Sequence, residues 1–466
     1  MPLFADDPAT FFAGEGYKAH QLPRIEIEAL QLNAAQARFD SLKDRLPPLQ
    51  TMASMQGIDA IDTLAELAKL LFPQSFYKSY DVAILERGEL EKLANWLQKL
   101  TSRPLLAVKG RTVATLDAFF ELLDRECGVR LVHSSGTTGK LSFFPRGSAE
   151  WAAHLRHVRS LIPNWSGRPG DASGEPPFAV VWAGHAGGHS AILQASQLFN
   201  RSFARSPAHF HATMAGKISV DWQSFMMRLE RAQRLGLPQA PVSDYVLARL
   251  DEMEEARVGL DASLDRVLDT LRDDLAGERV VIGGPSILVH QLASRGLARG
   301  IENVSKAGGY VHTFGGIKQH GPVPQLEERV ARFAGVAHPI DNYGMTEMLG
   351  GATQCQLGHY HLQVTQVPFL FDLTSGALLT RHGRQTGRFG VFDTMAQGYW
   401  GGTVTADRLT VGWDLCPCGR QTPFVVGAIA RCNDAEDDLP PFAATAAAVE
   451  AAYDVLSGRT NRPTTH

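Results

Sequence analysis

A run of small hydroxylated residues between two apolar stretches constrains the fold of this chain more than any other feature. Ser134 to Lys140 contains two glycines, four hydroxyl side chains and a lysine, and it lies between Val129 to Val132 and Leu141 to Phe144. This pattern predicts a loop that joins two strands. The glycines permit backbone conformations closed to other residues, and the hydroxyls and the ammonium group are donors for an anion. The loop therefore predicts phosphate binding, and a polar surface hairpin is the competing interpretation.

A second motif, Tyr343 to Glu347, follows about two hundred residues later at the end of a predicted strand, Ile340 to Tyr343. The glycine after the tyrosine would let the backbone turn, so that the aromatic ring can lie flat on a purine. Thr346 would place a hydroxyl near phosphate, and Glu347 is a hard oxygen ligand of the kind that Mg²⁺ takes. A purely structural turn is the competing interpretation of this motif alone.

Together the two motifs resemble the nucleotide motifs of the adenylate-forming superfamily, which includes acyl- and aryl-CoA ligases and peptide-synthetase adenylation domains. In that family the first loop holds the β- and γ-phosphates of ATP, and the second contacts adenine and magnesium. The resemblance implies Lys140, Thr346 and Glu347 as catalytic residues, with Glu347 as the Mg²⁺ ligand. It implies a nucleotide site formed by Ser134, Ser135, Gly136, Thr137, Thr138, Gly139, Gly315, Gly316, Tyr343, Gly344, Asp407 and Arg431.

Three of these segments are assigned by resemblance alone. Gly315-Gly316 follows a predicted strand and is similar to the family's segment along the adenine face. Asp407, in Thr405-Ala-Asp407, resembles the carboxylate that holds the ribose hydroxyls, with an ordinary turn residue as the alternative. Arg431 resembles the arginine at the family's hinge, although a cysteine-containing insertion lengthens its spacing from Asp407.

That insertion itself predicts a metal site. Cys416 and Cys418 form a close thiol pair on a Pro/Gly turn, and Cys355 precedes His361 by six positions. Three thiols and one imidazole supply the four ligands of a closed structural Zn²⁺ site. His359 competes with His361 for the fourth position, and a set of unrelated buried thiols is the alternative interpretation.

The rest of the chain predicts an α/β fold in three parts. Residues 1–128 are mostly helical, residues 129–430 form the adenylating α/β core with the zinc site, and residues 431–466 are a short C-terminal remnant. The resemblance implies the large N-terminal domain of the superfamily, with layered sheets, helices and a small β subdomain. Because no lysine follows Lys318, we expect the family's lysine-bearing mobile C-terminal domain to be missing or reduced.

Buried strands followed by glycine-containing loops also predict where a substrate binds. Phe178 to Trp182 is predicted as a buried strand, Gly184 to Ser190 as a loop, and the residues after it as a helix. Ligands of α/β proteins bind at such strand ends. We expect the acyl pocket to be bordered by Trp182, Gly184, His185, Gly188 and His189, although each histidine has a packing or capping role as its alternative.

Composition excludes several classes of partner. The formal net charge is −4 and no block of Lys or Arg occurs, which argues against nucleic-acid binding. The sequence contains no run of eighteen apolar residues, so we expect no membrane span. It has no basic start followed by an apolar stretch, so we expect no secretory signal. Five cysteines suit a protein of the reducing cytoplasm.

The order of the later motifs, from Gly358-His-Tyr-His361 to Cys416-Pro-Cys-Gly-Arg420, resembles acyl-protein synthetases of bacterial bioluminescence and, nearly as well, phenylacetate-CoA ligases. This implies ATP-dependent activation of a small carboxylic acid as an acyl- or aryl-adenylate, followed by transfer to a thiol of an acceptor protein or carrier. The alternatives are a CoA ligase, capture of an unusual acyl group by an amine, and a non-catalytic nucleotide-binding scaffold.

Overall fold

The computed structural model describes residues 3–9, 11, 16–134, 140–166, 176–237, 242–315, 323–432 and 443–458. The helices are α1 Arg24–Leu42, α2 Pro47–Met55, α3 Leu64–Lys69, α4 Ala83–Glu86, α5 Leu90–Leu97, α6 Leu116–Cys127, α7 Ser148–Ser166, α8 Ala191–Phe203, α9 Val220–Leu235, α10 Asp244–Val258, α11 Leu260–Asp273, α12 Ser286–Ala298, α13 Leu326–Ala334 and α14 Ala446–Ser457. The strands are β1 Phe72–Pro73, β2 Val129–His133, β3 Phe143–Gly147, β4 Ala179–Gly188, β5 Phe210–Ile218, β6 Val280–Pro285, β7 Tyr310–Phe314, β8 Ile340–Tyr343, β9 Ala352–Gln354, β10 Tyr360–His361, β11 Gln366–Phe371, β12 Arg384–Asp393, β13 Gly402–Gly412 and β14 Phe424–Arg431.

One large mixed sheet organises the molecule. Its described strands run in the order β11-β12-β13-β14-β10-β9-β8-β7-β6-β4-β5, and β1 pairs with β13. From β5 to β8 all neighbours are parallel, whereas from β8 to β11 they are antiparallel. The carboxyl ends of the parallel strands therefore lie at one edge, next to the antiparallel half. In open α/β sheets that edge is where ligands bind.

The N-terminal helices share a core with the antiparallel half of the sheet. Local signals define their ends: Thr63 and Glu66 form a capping box before α3, and α6 stops at Gly128, which is left-handed with a φ of 60°. The apolar faces of these helices pack with side chains of β11 to β13, including Phe369, Phe392 and Val404. The helical N-terminal region is thus in direct contact with the strand that carries Asp407.

The hydroxyl-rich loop does join two strands, as its flanking residues predict. β2 and β3 pair antiparallel with Val132 opposite Phe144. The Ser134 amide donates to the Ser142 carbonyl at 3.1 Å, and the Ser142 amide donates to the Ser134 Oγ at 3.0 Å. These bonds close the described part of the hairpin.

Strand β4 is longer than the sequence predicts. The segment from Gly184 to Gly188, predicted as a loop, continues the strand and pairs with β5 through an irregular register. Two glycines make this path accessible, since Gly184 and Gly188 have φ of 149° and 151°. A Cβ at Gly188 would also lie 2.4 Å from Leu193 Cδ1. Glycine therefore serves an extended, irregular strand end here, and the prediction of a loop was wrong.

The last described helix, α14, packs on the N-terminal region. Its first residue follows Thr445, whose hydroxyl accepts from the Ala448 amide, and Ala452 and Leu456 are buried in the shared core. The Lys99 ammonium donates to the carbonyls of Val455 and Leu456 at 2.8 and 3.2 Å. Within the described ranges, no helix combines the length and the apolar character that crossing a membrane requires.

Candidate active site

The second nucleotide motif and the Thr-x-Asp motif meet at one place. The Tyr343 hydroxyl donates to Asp407 Oδ2 at 2.8 Å, and Arg431 Nε lies 3.4 Å from Asp407 Oδ1. The antiparallel register of β13 and β14 sets Arg431 directly opposite Asp407. Thr405 supports the aspartate, because its Oγ accepts from the Asp407 amide at 3.1 Å. The structure thus brings together three residues that the sequence separates by up to 88 positions (431 − 343).

The environment of Tyr343 is apolar except at its hydroxyl. The ring packs edge-on against Phe389, with centroids 6.2 Å apart, and burial raises the pKa of the phenol well above its usual value. The phenol therefore stays protonated and remains a donor to Asp407. Stacking of this ring on a purine stays a prediction.

Two glycines of the predicted nucleotide site face open space. Gly344 does not have a positive φ, and a Cβ built on it would meet only the Gly351 Cα, at 4.0 Å. The turn therefore does not require a glycine there, contrary to the sequence interpretation. Gly315, at the carboxyl end of β7, has a φ of 78° and no neighbour within 4 Å of a built Cβ. Gly316 lies outside the described residues.

Glu347 is a buried carboxylate with a neutral partner. Its side chain is 4% exposed, it accepts a hydrogen bond from the Gln74 amide, and burial raises its pKa. Asp407 raises that pKa further and Arg431 lowers it, so these charges lie within electrostatic range of one another. The nearby Thr346 is also buried.

Two buried residues that the sequence reasoning missed hold the backbone around Glu347. The Arg146 guanidinium donates to the carbonyls of Thr346 and Met348 at 2.5 and 2.8 Å. The Asp393 carboxylate accepts from the amides of Leu349 and Met395 at 2.7 and 3.0 Å. Asp393 is the last residue of β12 and Arg146 lies in β3, and neither carries a local sequence signal for this contact.

The first nucleotide motif is only partly described. Ser135, Gly136, Thr137, Thr138 and Gly139 lie outside the described residues. At the far end of the loop, the Lys140 ammonium donates to the Tyr80 carbonyl and lies 4.3 Å from the centre of the Tyr80 ring. Burial, together with the nearby Arg231, lowers the pKa of Lys140 to about 8.

The predicted acyl-pocket residues do not share one environment. Trp182 is 1% exposed and packs against Phe199 and Phe314, so its ring belongs to the core of the parallel half. His185 is half-buried at the end of β4, and burial lowers its pKa. The ring of His189 lies edge-on to Phe120, with centroids 5.0 Å apart. Both histidines are therefore largely neutral at pH 7, since burial lowers the pKa of His189 as well.

The predicted metal ligands form a compact group. One potential ligand atom from each of Cys355, His361, Cys416 and Cys418 lies within 4.8 Å of the other three. Tetrahedral zinc, with Zn–S near 2.3 Å and Zn–N near 2.0 Å, would require separations of about 3.5–3.8 Å. His359 is outside this group: its Nδ1 lies 3.2 Å from Cys416 Sγ while its ring stacks on Phe424. The compact group contains the favoured histidine, His361, and its binding of zinc stays a prediction.

The group also has the outer hydrogen bonds that metal-binding histidines usually make. His361 Nε2 lies 3.3 Å from Cys418 Sγ, and its Nδ1 lies 3.2 Å from Thr422 Oγ1. Thr422 Oγ1 in turn lies 2.7 Å from His20 Nδ1. The imidazole therefore presents Nε2 to the thiols, which fits a closed Cys₃His centre.

No protein-family model matches this chain, and no curated protein sequence matches it. Solved structures do. The open conformation of a 2-hydroxyisobutyryl-CoA ligase in complex with 2-HIB-AMP and CoA aligns over 90% of this chain and 77% of its own, with 12% identity and a TM-score of 0.54. The same ligase in its thioesterification state aligns over 90% and 71%, with 14% identity and a TM-score of 0.51. This similarity shows the fold alone, and at that level it confirms the fold that the resemblance implies: the chain has the fold of this CoA ligase.

Proposed function

We propose that this protein activates a carboxylic acid with ATP, forming an acyl- or aryl-adenylate and pyrophosphate, and then transfers the acyl group to a thiol. The observation that supports this most directly is the convergence of Tyr343, Asp407, Arg431 and Glu347 beside the carboxyl ends of the parallel strands. Tyr343 and Glu347 belong to one motif, whereas Asp407 and Arg431 follow 60 or more residues later, on β13 and β14. Their polar groups form one site in the fold of adenylate-forming enzymes.

The nucleotide would occupy the open side of this site. Adenine fits beside Gly315 and Gly344, which leave room that a side chain would fill. The Asp407 carboxylate accepts hydrogen bonds, and vicinal ribose hydroxyls are suitable donors. Arg431 would balance the charge of that carboxylate.

Glu347 would hold Mg²⁺. This ion is commonly bound by one or two carboxylates together with substrate phosphates, and a single buried carboxylate next to Thr346 fits that donor set. When bound, Mg²⁺ supplies positive charge against the phosphate oxygens. Arg146 and Asp393 would keep the Glu347 backbone fixed during the reaction.

The chemistry requires positioning more than covalent assistance. A carboxylate oxygen attacks the α-phosphorus in line, the bond to the bridging oxygen breaks, and pyrophosphate leaves with its electron pair. Such transfers depend on geometry and on charges aimed at the transition state. Lys140, at the end of the hydroxyl-rich loop, would supply one such charge. The end of β4, with Gly184, His185, Gly188 and His189, would border the acid.

Zinc would have a structural role. Three thiols and one imidazole form a closed donor set, and Zn²⁺ prefers such a set in structural sites. The ligands come from the segment after Glu347 and from the connection between β13 and β14, so a bound ion would link the two halves of the nucleotide site. We expect one zinc per chain in the purified protein. Metal analysis that finds no zinc would refute this part of the proposal.

We favour a thiol of an acceptor protein or carrier as the group that takes the acyl chain. Coenzyme A is the second candidate, because the solved ligase with the same fold binds both an acyl-AMP and CoA. Adding either CoA or a phosphopantetheinyl carrier to the preformed enzyme-bound adenylate distinguishes the two acceptors. A CoA ligase should release AMP only with CoA, and a carrier-specific enzyme only with the carrier.

Acid-dependent exchange of ³²P-labelled pyrophosphate into ATP tests the adenylation step. A panel of aryl and fatty acids should contain at least one that supports exchange in the presence of Mg²⁺. If none of the acids supports exchange although the protein binds ATP measurably, the result would instead favour the non-catalytic scaffold.

A further inference from the structure

Gln74 reaches the nucleotide site from the helical N-terminal region, in which the sequence shows no chemistry. It is the first residue of a short 3₁₀ helix, Gln74–Lys78, that directly follows β1. Strand β1 pairs in parallel with β13, setting Phe72 opposite Thr403 and Pro73 opposite Val404. Gln74 is therefore attached to the strand that carries Asp407.

Three hydrogen bonds fix this segment in place. The Thr403 hydroxyl donates to the Phe72 carbonyl at 3.0 Å, and the Trp400 indole donates to the Leu70 carbonyl at 2.8 Å. On the far side of Gln74, the Tyr77 hydroxyl donates to the Trp400 carbonyl at 2.8 Å. The Tyr77 ring also stacks on Phe144 with centroids 4.1 Å apart. Residues on both sides of Gln74 are thus held rigidly.

The Gln74 side chain contacts the carboxylate of Glu347. Its Nε2 donates to Glu347 Oε1, and this amide orientation follows from chemistry, because an ionised carboxylate only accepts. Glu347 is almost fully buried. Few side-chain rotamers remain for a buried carboxylate that a fixed donor holds by one oxygen.

A neutral donor has a specific advantage at this position. A lysine or arginine would neutralise Glu347 and compete with any cation, whereas an amide satisfies one oxygen and leaves the negative charge in place. Of the two arginines near this carboxylate, Arg431 pairs with Asp407 and Arg146 donates to the backbone carbonyls of Thr346 and Met348. Glu347 therefore keeps a charge that a divalent cation can use.

We propose that Gln74 is a positioning residue of the nucleotide site, whose side-chain amide orients the Glu347 carboxylate for Mg²⁺. This inference rests on the proposed adenylation function. It assigns the N-terminal helical region a direct part in the reaction, through a residue that touches neither the acid nor the nucleotide.

Two substitutions at this position should move the metal dependence in opposite directions. Gln74→Leu keeps the bulk but removes the donor, so the Mg²⁺ concentration for half-maximal pyrophosphate exchange should rise about five- to tenfold. Gln74→Glu places a second carboxylate beside Glu347, which favours the cation, and should lower that concentration several-fold. The KM for the acid should change less than twofold in both.

The experiment is a MgCl₂ titration at fixed ATP and acid for the wild type and both variants. Pyrophosphate exchange is one readout, and the rise in melting temperature with added Mg²⁺ is the second, which does not depend on activity. Gln98→Leu is the matched control, because its amide also hydrogen-bonds within the N-terminal region. It donates to the Thr101 and Arg103 carbonyls at 3.0 Å and accepts from the Leu105 amide, and none of these partners belongs to the nucleotide site. It should lower the melting temperature without shifting the Mg²⁺ dependence. If Gln74→Leu fails to fold, Gln74→Asn, which is one methylene shorter, should show the same rise.

The outcomes are distinct. Opposite shifts in the two Gln74 variants support the inference. Exchange by the wild type with half-maximal Mg²⁺ concentrations within twofold in every variant would overturn it while leaving the proposed function intact. Absence of wild-type exchange with every acid would overturn the proposed function and this inference together.

Discussion

Replacing Asp407 by asparagine separates its role in the fold from its role toward the nucleotide. The asparagine side chain has the same shape, and its carbonyl oxygen can still accept from the Tyr343 hydroxyl. The substitution removes the negative charge that faces Arg431 and that would receive the ribose hydroxyls.

The structure predicts unequal losses for folding and binding. The Arg431 side chain is 50% exposed, so its ion pair with Asp407 contributes at most about 1 kcal/mol to the free energy of unfolding. Hydrogen bonds from ribose to a charged acceptor are worth about 1.5–3 kcal/mol, which corresponds to about a 10- to 150-fold loss of ATP affinity. The binding defect should therefore exceed the folding defect.

Pyrophosphate exchange at varied ATP, with thermal unfolding of the same preparations, measures both quantities. Asp372→Asn is the matched control, because this half-buried aspartate accepts from the Thr374 and Ser375 amides in a turn. The control should leave the KM for ATP unchanged. A wild-type KM for ATP in Asp407→Asn would refute the ribose assignment, and equal binding and folding defects would show that Asp407 is mainly structural.

Three further predictions follow from the site. Glu347→Gln should reduce the exchange rate at saturating ATP at least tenfold, or about 1.4 kcal/mol of transition-state stabilisation; a wild-type rate would contradict the Mg²⁺ assignment. Burial lowers the pKa of Lys140 to about 8, so its side chain carries a positive charge below pH 8 and loses that charge above it. The KM for pyrophosphate should therefore rise as the pH increases through 8. Lys140→Arg, which stays charged, should remove that rise, and an identical pH profile in both proteins would argue against Lys140. Cys416→Ser should abolish zinc binding and lower the melting temperature, whereas Cys127→Ser, at a free thiol outside the metal group, should retain one zinc per chain by metal analysis; full zinc in Cys416→Ser would refute the ligand assignment.

Local sequence patterns predicted the parts of this fold that local physics controls. Apolar runs located β2 and β8 within one residue of their observed bounds. A hydroxyl residue, Thr115, and a glycine, Gly128, mark the two ends of α6. The cysteines and His361, which the sequence favoured over His359 as zinc ligands, do lie together, and zinc binding itself stays a prediction.

Patterns failed where tertiary contacts decide the outcome. Gly184 and Gly188 looked like loop glycines, but pairing with β5 extends β4 through them. Nothing near Gln74 or Arg146 indicates that they contact a loop 200 or more residues away, and only the packing of β1 on β13 and the position of β3 bring them there. Long-range contacts of this kind have no local signature in a single sequence.

The central claim is that ATP binds where the second nucleotide motif meets the Thr-x-Asp motif and reacts there with an acid. A crystal structure of the protein with AMP tests the location directly. We expect adenine beside Gly315 and Gly344 and the ribose hydroxyls on the Asp407 carboxylate, within hydrogen-bonding distance. AMP bound at another surface, with the Tyr343–Asp407 contact facing no ligand, would contradict the account.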